Sequence, residues 1–163
     1  MEFRIEERGE EVLEEVLELD REISWEMMDE GQRSSLGYEE YARRHRELFL
    51  SIYRSPGRQR FFVAYDGSGR MIGVAWVKEE VDTVNYDVYA YLYDLEVRRE
   101  FRRMGVGRAL LDRVIEYCRR NGYRRLGLRV ELRNAPALRL YSRAGFRPVA
   151  LLMELRLGEG AST

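Results

Sequence analysis

The sequence predicts a mixed α/β (α+β) fold, in which helices flank one mostly antiparallel central sheet. Three observations support this prediction: helical apolar spacing in the first third, three β-branched or aromatic runs in the middle, and alternating helix and strand patterns afterwards. The expected element order is β-α-α-β-β-β-α-β-α-β. The length of 163 residues is typical of one domain, so we expect a single domain over residues 1–163.

The first third is expected to form a short strand over residues 3–6 and then helix, loop, helix. Apolar residues keep helical spacing over about 9–28 and again over about 41–53, before Pro56. Residues 31–37 contain two glycines and three serine or glutamine residues, which favours a loop. His45 lies among arginines, and we therefore expect it on a solvated helix face.

The middle third predicts three antiparallel strands. The runs over 60–65 and 71–79 are separated by Asp-Gly-Ser-Gly, a strong hairpin signal. The third run, 86–97, alternates along its length, and strict alternation divides it between two faces of the sheet. One face is expected to carry Tyr89, Tyr91, Tyr93, Leu95 and Val97, and the other Ala90, Leu92, Asp94 and Glu96.

The pattern of the last third predicts a helix, a strand, a second helix and a final strand. A helical apolar stripe that includes Cys118 runs over about 105–121 and ends at an Asn-Gly pair. Residues 126–132 alternate as a strand. A short helix is expected over 134–144, with Asn134 as its N-cap and Gly145 at its end, and residues 146–157 are expected to form the final strand.

Composition restricts the functional class. The formal net charge is −1, which disfavours a generic nucleic-acid binder, yet residues 1–50 sum to −9 and residues 98–147 to +11. The single cysteine and single histidine exclude a Cys/His zinc site, and we expect no metal. The chain begins without a basic and apolar leader pattern and has no apolar run of membrane-spanning length, so we expect a cytoplasmic protein that does not act at a membrane.

The most informative segment lies where the third sheet strand meets the following helix. It reads R-x-x-G-x-G from Arg102 to Gly107, with further arginines at 98, 99, 103 and 108. A glycine turn that leads into a helix N-terminus presents backbone N–H groups to a phosphate, and guanidinium groups bind phosphate in bidentate fashion. The pattern is neither a P-loop, which requires a lysine here, nor the dinucleotide fingerprint G-x-G-x-x-G.

A second motif follows at a suitable distance. After the strand over 126–132, the sequence reads N-x-x-A-x-x-L-Y-x-x-x-G-F from Asn134 to Phe146. Together the two motifs resemble those of the GNAT superfamily of acetyl-coenzyme A-dependent N-acyltransferases over about residues 92–147. The resemblance implies a GNAT-like fold, acetyl-CoA as cosubstrate, and direct transfer of an acetyl group to a primary amine.

The resemblance also implies roles for individual residues. The main chain of Leu95, Glu96 and Val97 would pair with the pantetheine arm, and Asn134 would contact the cofactor. Tyr141 would contact the cofactor and act as general acid toward the departing thiolate. The pyrophosphate would be held by the turn residues Arg102, Arg103, Met104, Gly105, Val106, Gly107 and Arg108.

Three carboxylates are candidates for the general base, and the sequence does not choose among them. Asp94 and Glu96 lie two residues apart on one strand face, beside the expected thioester, and Glu131 lies at the end of the next strand. Bacterial ribosomal-protein alanine acetyltransferases have a similar arrangement, but their base is a glutamate at the position of Arg129. Their base and their substrate are therefore not transferred to this chain.

The acceptor is not identified by any motif. The acidic N-terminal half favours a cationic amine, such as a polyamine, an aminoglycoside-like amine or a basic peptide. Two competing classes are a non-catalytic acyl-CoA-binding regulatory module of the same fold and a nucleic-acid binder that uses the basic half. The oligomeric state also stays open, with a homodimer as the state that the resemblance suggests.

Overall fold

The computed structural model describes residues 1–158, so the last five residues of the predicted domain lie outside it. The chain divides into two compact units, Met1–Arg129 and a second that begins at Val130. Whether both belong to one domain over residues 1–163 stays a prediction. No helix within the described residues is both long and apolar enough to cross a bilayer.

The first unit contains one five-stranded sheet with the strands in sequence order. Strands β1 to β4 pair in antiparallel fashion, and β5 joins β4 in parallel. This arrangement confirms the predicted mixed, mostly antiparallel sheet. The strands are β1 (Phe3–Arg8), β2 (Gln59–Asp66), β3 (Met71–Val81), β4 (Val88–Val97) and β5 (Leu126–Gly127).

Four helices belong to the first unit and one to the second, with two short 3-10 turns at Glu10–Val12 and Arg99–Phe101. The helices are α1 (Leu13–Met27), α2 (Glu30–Leu36), α3 (Tyr38–Arg54), α4 (Val106–Arg120) and α5 (Ala135–Ala144). The prediction of a loop over 31–37 is therefore wrong. A capping box explains the helix: Asp29 Oδ1 accepts from Gln32 N at 2.8 Å, and Gln32 Oε1 accepts from Asp29 N at 3.1 Å.

The strand predictions for the last third are largely wrong. The strand expected over 126–132 is reduced to two residues, and none is formed over the described residues 146–157. The apolar side chains that alternate there are exposed, with Val149 at 96% and Leu155 at 82%. An alternating pattern is compatible with a strand, but a strand also needs a partner ladder, and these residues have none within the described chain.

The sheet is covered by helices on both faces. Helices α1 and α3 pack on one face around Trp76, whose ring stacks on Phe49 with centroids 4.5 Å apart. On the other face, α4 buries Leu110, Leu111 and Val114. The approach of α4 is close, because a Cβ added to Gly73 would lie 3.2 Å from Leu110 Cδ1. The face with α1 and α3 is the one that carries the candidate site.

Strict alternation along β4 is interrupted by a bulge. Trp76 pairs with Asp94, but the next residue, Val77, pairs with Leu92, so Tyr93 is an extra residue without a partner. Tyr93 nevertheless packs against Trp76 with ring centroids 5.0 Å apart, and Asp94 shares the face of its partner Trp76. The prediction that placed the tyrosines on the sheet face opposite Asp94 and Glu96 is therefore wrong, because the bulge brings the tyrosines and the two carboxylates to the same face.

The only lysine of the chain is buried in the sheet. Lys78 is 1% exposed, and its Nζ donates to Ser55 O at 2.7 Å and to Gly57 O at 3.3 Å. Burial lowers the pKa of its ammonium group. Lys78 therefore acts as a structural donor that ties the end of α3 to β3.

Candidate active site

The C-terminal half of β4 has an unpaired edge. Strand β5 pairs with β4 only at Ala90 and Tyr91. Beyond that point, no residue of the first unit forms a ladder with residues 92–97 on this edge, while β3 occupies the opposite one. The main-chain groups along the unpaired edge are therefore available to an extended ligand.

The direction of the main-chain groups follows from the ladder. Arg98 N donates to Ile72 O at 2.9 Å, and main-chain groups alternate between the two edges of an antiparallel strand. Leu95 and Val97 therefore face the unpaired edge, whereas the main chain of Glu96 faces β3. Arg102 Nε donates to Val97 O at 3.0 Å, which leaves the Val97 N–H as a donor on this edge.

The turn before α4 forms a positively polarised helix end. Gly105 occupies the N-cap with φ of 83°, and no side chain of the described residues caps it. The helix bonds begin with Ala109 N to Gly105 O at 3.0 Å, so the N–H groups of Val106, Gly107 and Arg108 precede the ladder. No acidic residue lies in this first turn. Free N–H groups and the helix dipole together favour an anion.

The arginines of this segment are used in different ways. Arg98 turns toward α1, where its Nη1 lies 2.6 Å from Glu22 Oε2, so it does not contribute to the turn as predicted. Arg108 pairs with Asp112 at 2.9 Å on the helix surface. Within residues 1–158, the guanidinium of Arg103 has neither a hydrogen bond nor an ion pair. Arg103 also adopts a left-handed φ of 62°, beside the half-exposed Met104.

Three carboxylates converge on the sheet face covered by α1 and α3. Asp20 of α1 joins Asp94 and Glu96 of β4, and one oxygen of each lies within 4.8 Å of the others. We call these three residues the carboxylate cluster. The sequence predicted that Asp94 and Glu96 share a face, but not that Asp20 lies beside them.

His45 belongs to the same region, contrary to the prediction of a solvated position. Its Nε2 bonds to Asp20 Oδ2, and the two side chains are only 10% and 9% exposed. His45 lies between Tyr41 and Phe49 on the inner face of α3, with ring centroids 5.8 and 6.0 Å away. The spacing of four residues between these aromatic rings was the sequence signal for an inward position.

Burial and mutual repulsion alter the acidity of the cluster. Burial, followed by the charge of Asp20, raises the pKa of Asp94. Burial likewise raises the pKa of Glu96 well above its ordinary value, and the charges of Asp20 and Asp94 and a hydrogen bond with Asp20 add to the effect. Glu96 Oε2 is buried without a hydrogen-bond partner among the described residues. A carboxylate in such surroundings is a stronger base than one in water.

The second motif lies in the second unit. Asn134 caps α5, since its Oδ1 accepts from Ala137 N at 3.2 Å, and Gly145 ends the helix with φ of 100°. Tyr141 packs against Phe146 with ring centroids 5.6 Å apart. Glu131, the third candidate base, also belongs to this unit. The predicted helix over 134–144 is confirmed, with Asn134 in the predicted N-cap position.

Comparison with known proteins identifies the family. The model of the acetyltransferase (GNAT) family matches residues 21–146, which is most of the chain. The chain therefore belongs to the GNAT acetyltransferase family, as the two motifs predicted. A Pyrococcus furiosus protein described as an acetyl transferase shares 40% sequence identity and superposes with a TM-score of 0.84, over 96% of this chain and 100% of that one.

More distant similarities add two further proteins. The mycothiol acetyltransferase of Jonesia denitrificans is 35% identical over 108 residues, which cover 64% of this chain and 33% of that protein. The chain thus spans only about a third of that curated relative. The aminoglycoside acetyltransferase AAC(6')-Iy, solved with a bisubstrate analogue, has a TM-score of 0.68 at 19% identity, covering 97% and 99% of the two chains, and shares the fold.

Proposed function

We propose that the chain is an acetyl-CoA-dependent N-acetyltransferase that moves the acetyl group directly to a cationic primary amine. The observation that carries this proposal is the position of the carboxylate cluster beside β4. That strand carries two of its three carboxylates, Asp94 and Glu96, on one face, and it also has an unpaired main-chain edge and an uncapped helix N-terminus directly after it. A base, a site for an extended arm and a site for phosphate thus meet at one strand end.

The acetyl-CoA site is assigned to the strand end and the turn. The unpaired edge at Leu95 and Val97 fits the amide-bearing arm, with Glu96 between them. The pyrophosphate is assigned to residues 102–108, where Gly105 has open space around its α-carbon and Arg103 has a free guanidinium within the described chain. Asn134 and Tyr141 are assigned to the cofactor from the second motif.

The proposed reaction needs a base, an oxyanion donor and an acid. Glu96, or Asp94 beside it, removes a proton from the ammonium form of the acceptor. The neutral amine forms the C–N bond as the C–S bond breaks, and the N–H of Val97 donates to the developing oxyanion. Tyr141 donates its proton to the departing thiolate and regains one from the new amide nitrogen, while the base releases its proton to water.

Direct transfer is supported by the state of the only cysteine. Cys118 is buried on α4, and burial raises the pKa of its thiol to about 11. Because the thiolate is the nucleophilic form, such a thiol is unsuited to an acetyl-enzyme intermediate. A ternary complex of acetyl-CoA and amine therefore agrees best with these residues.

The remaining expectations are part of the same proposal. We place the protein in the cytoplasm, with acetyl-CoA and an amine as its partners and with no required metal. A homodimer is the proposed assembly, and binding to nucleic acid is not part of the function. A chelator control in each assay tests the metal expectation, since loss of activity on chelation would contradict it.

Binding of acetyl-CoA is the first expected result. Titration calorimetry should detect it, and Arg103→Gln should weaken it by about 3- to 30-fold, since a partly exposed charge-assisted contact is lost. The matched control is Arg113→Gln, because Arg113 is exposed farther along α4. Absence of binding at millimolar acetyl-CoA would exclude the proposal. Binding without thiol release toward any amine would instead favour the regulatory module.

Preference for cationic acceptors is the second expected result. Thiol release should be measured across a panel of polyamines, amino sugars, basic peptides and neutral amines. Carboxylates near the acceptor attract cations, and this attraction is screened by salt, so KM for the cationic amines should rise with ionic strength. Equal KM values for neutral and cationic amines, without a salt effect, would contradict the acceptor class while leaving the acetyltransferase proposal intact.

A further inference from the structure

Two buried polar residues beside the proposed base have no role in the reaction described above. Asp20 is the only acidic residue in the buried class among the described residues, and its bond to His45 links α1 to α3. Both side chains belong to the helices that cover the sheet face carrying Glu96. Their position makes them candidates for tuning the base.

The contacts form a chain from α3 to β4. His45 bonds to one oxygen of Asp20, and a carboxylate oxygen of Asp20 lies within 4.8 Å of one of Glu96. Two deprotonated carboxylates repel each other at this distance, so the proximity of Asp20 favours the protonated form of Glu96.

Packing alone does not explain this arrangement. The burial of a carboxylate and an imidazole costs desolvation energy, and apolar residues of similar volume usually provide equal or greater stability. The surrounding face is apolar and aromatic, with Phe49 and Trp76 in its core. The Asp20 carboxylate therefore lies where its charge acts on Asp94 and Glu96.

We propose that Asp20 and His45 are positioning residues that set the proton affinity of the general base Glu96. This inference rests on the proposed acetyltransferase function. Asp20 accepts a hydrogen bond from protonated Glu96 and so helps it to keep the proton taken from the amine. His45 holds Asp20 in place beside Glu96 through the bond between its Nε2 and Asp20 Oδ2.

The groups that act on Glu96 come from several elements. Asp20 belongs to α1, His45 and Tyr41 to α3, Asp94 to β4, and Arg102 follows the 3-10 turn after β4. Burial makes the largest contribution to the raised pKa of Glu96, the charges of Asp20 and Asp94 raise it further, and Arg102 lowers it. Removal of the charge on Asp20 should therefore make Glu96 a weaker base.

The test compares the pH dependence of kcat/KM in wild type, Asp20→Asn and His45→Gln. The value of kcat/KM rises with pH as the base loses its proton, and this rise forms the acidic limb of the pH profile. Asp20→Asn should move the limb to lower pH by about 0.5–1.5 units and reduce the plateau of kcat/KM above it. His45→Gln loses the ring that holds Asp20 beside Glu96, so it should move the limb in the same direction by a smaller amount. The control is Glu18→Gln on the exposed face of α1, which should leave the limb in place.

Two further measurements keep the outcomes distinct. Circular dichroism verifies that each variant is folded. Carbon NMR titration of protein with labelled glutamate reports the ionisation of Glu96, and the Glu96 signal is assigned by its absence in Glu96→Gln. If the wild type binds acetyl-CoA but acetylates no amine, the proposed function fails, while the NMR titration still measures the effect of Asp20 and His45. A Glu96 titration and an activity limb that are unchanged in both variants would overturn the inference. Shifts to lower pH in both variants, the larger one in Asp20→Asn, would support it.

Discussion

Replacement of Glu96 by glutamine is expected to lower kcat/KM for amine acetylation by about 10²- to 10⁴-fold, the usual contribution of a general base. The amide keeps the size of the side chain but cannot accept the proton of an ammonium group. Binding of acetyl-CoA should change little, because the main chain and not the side chain of this segment faces the proposed cofactor edge. Steady-state thiol release and calorimetry measure the two quantities.

The same substitution is expected to stabilise the fold at alkaline pH. The pKa of Glu96 is raised in the folded state, so folding favours its protonated form, and this stability is lost as pH rises through the raised pKa. Glutamine removes the penalty for an ionised carboxyl. Thermal or urea unfolding above neutral pH should show a gain of roughly 0.5–2 kcal/mol.

The outcomes of the Glu96→Gln experiment assign the base. The control is Glu116→Gln on the exposed face of α4, which should change neither rate nor stability appreciably. Full activity in Glu96→Gln would reject Glu96 as the base. A large loss in Asp94→Asn would then assign that role to Asp94, whereas activity in both variants would remove the carboxylate cluster from the mechanism.

Replacement of Tyr141 by phenylalanine is expected to lower kcat by about 10²- to 10³-fold without a comparable loss of acetyl-CoA affinity. Phenylalanine retains the ring that packs on Phe146 but lacks the proton for the departing thiolate. The loss should shrink with a thioester analogue whose leaving thiol is more acidic, because that thiolate needs less protonation. Rates with the two donors, measured in both proteins, provide the check.

This experiment also separates an enzyme from a binding module. The matched control is Tyr65→Phe on β2, a buried tyrosine outside the proposed site, and it should keep its rate. Equal losses with both thioesters would indicate that Tyr141 acts through packing and not as an acid. An unchanged kcat would reject its role altogether.

The features that depend on local sequence were predictable. The turn before α4 follows from its glycines and arginines, and the shared face of Asp94 and Glu96 follows from their spacing of two. Helix α2 was missed although its signal was present, since an aspartate followed three residues later by a glutamine is a capping pattern.

Other features depend on contacts that the sequence does not encode locally. Asp20 and His45 are 25 residues apart and meet only because α1 and α3 pack side by side. The bulge at Tyr93 carries no residue signature, yet it decides which side chains share a face with the cluster. The alternating residues after 146 show the converse case, because a strand pattern without a partner ladder does not form a strand.

The buried position of Lys78 affects how readily the proposed donor, acetyl-CoA, would acetylate the protein that binds it. Lysine ε-amines are the usual targets of adventitious acylation by thioesters, and this chain contains a single one, enclosed between β3 and the end of α3. The other 27 basic side chains are guanidinium groups, which stay protonated and are poor nucleophiles. The chain would therefore hold its donor with few competing acceptors among its own side chains.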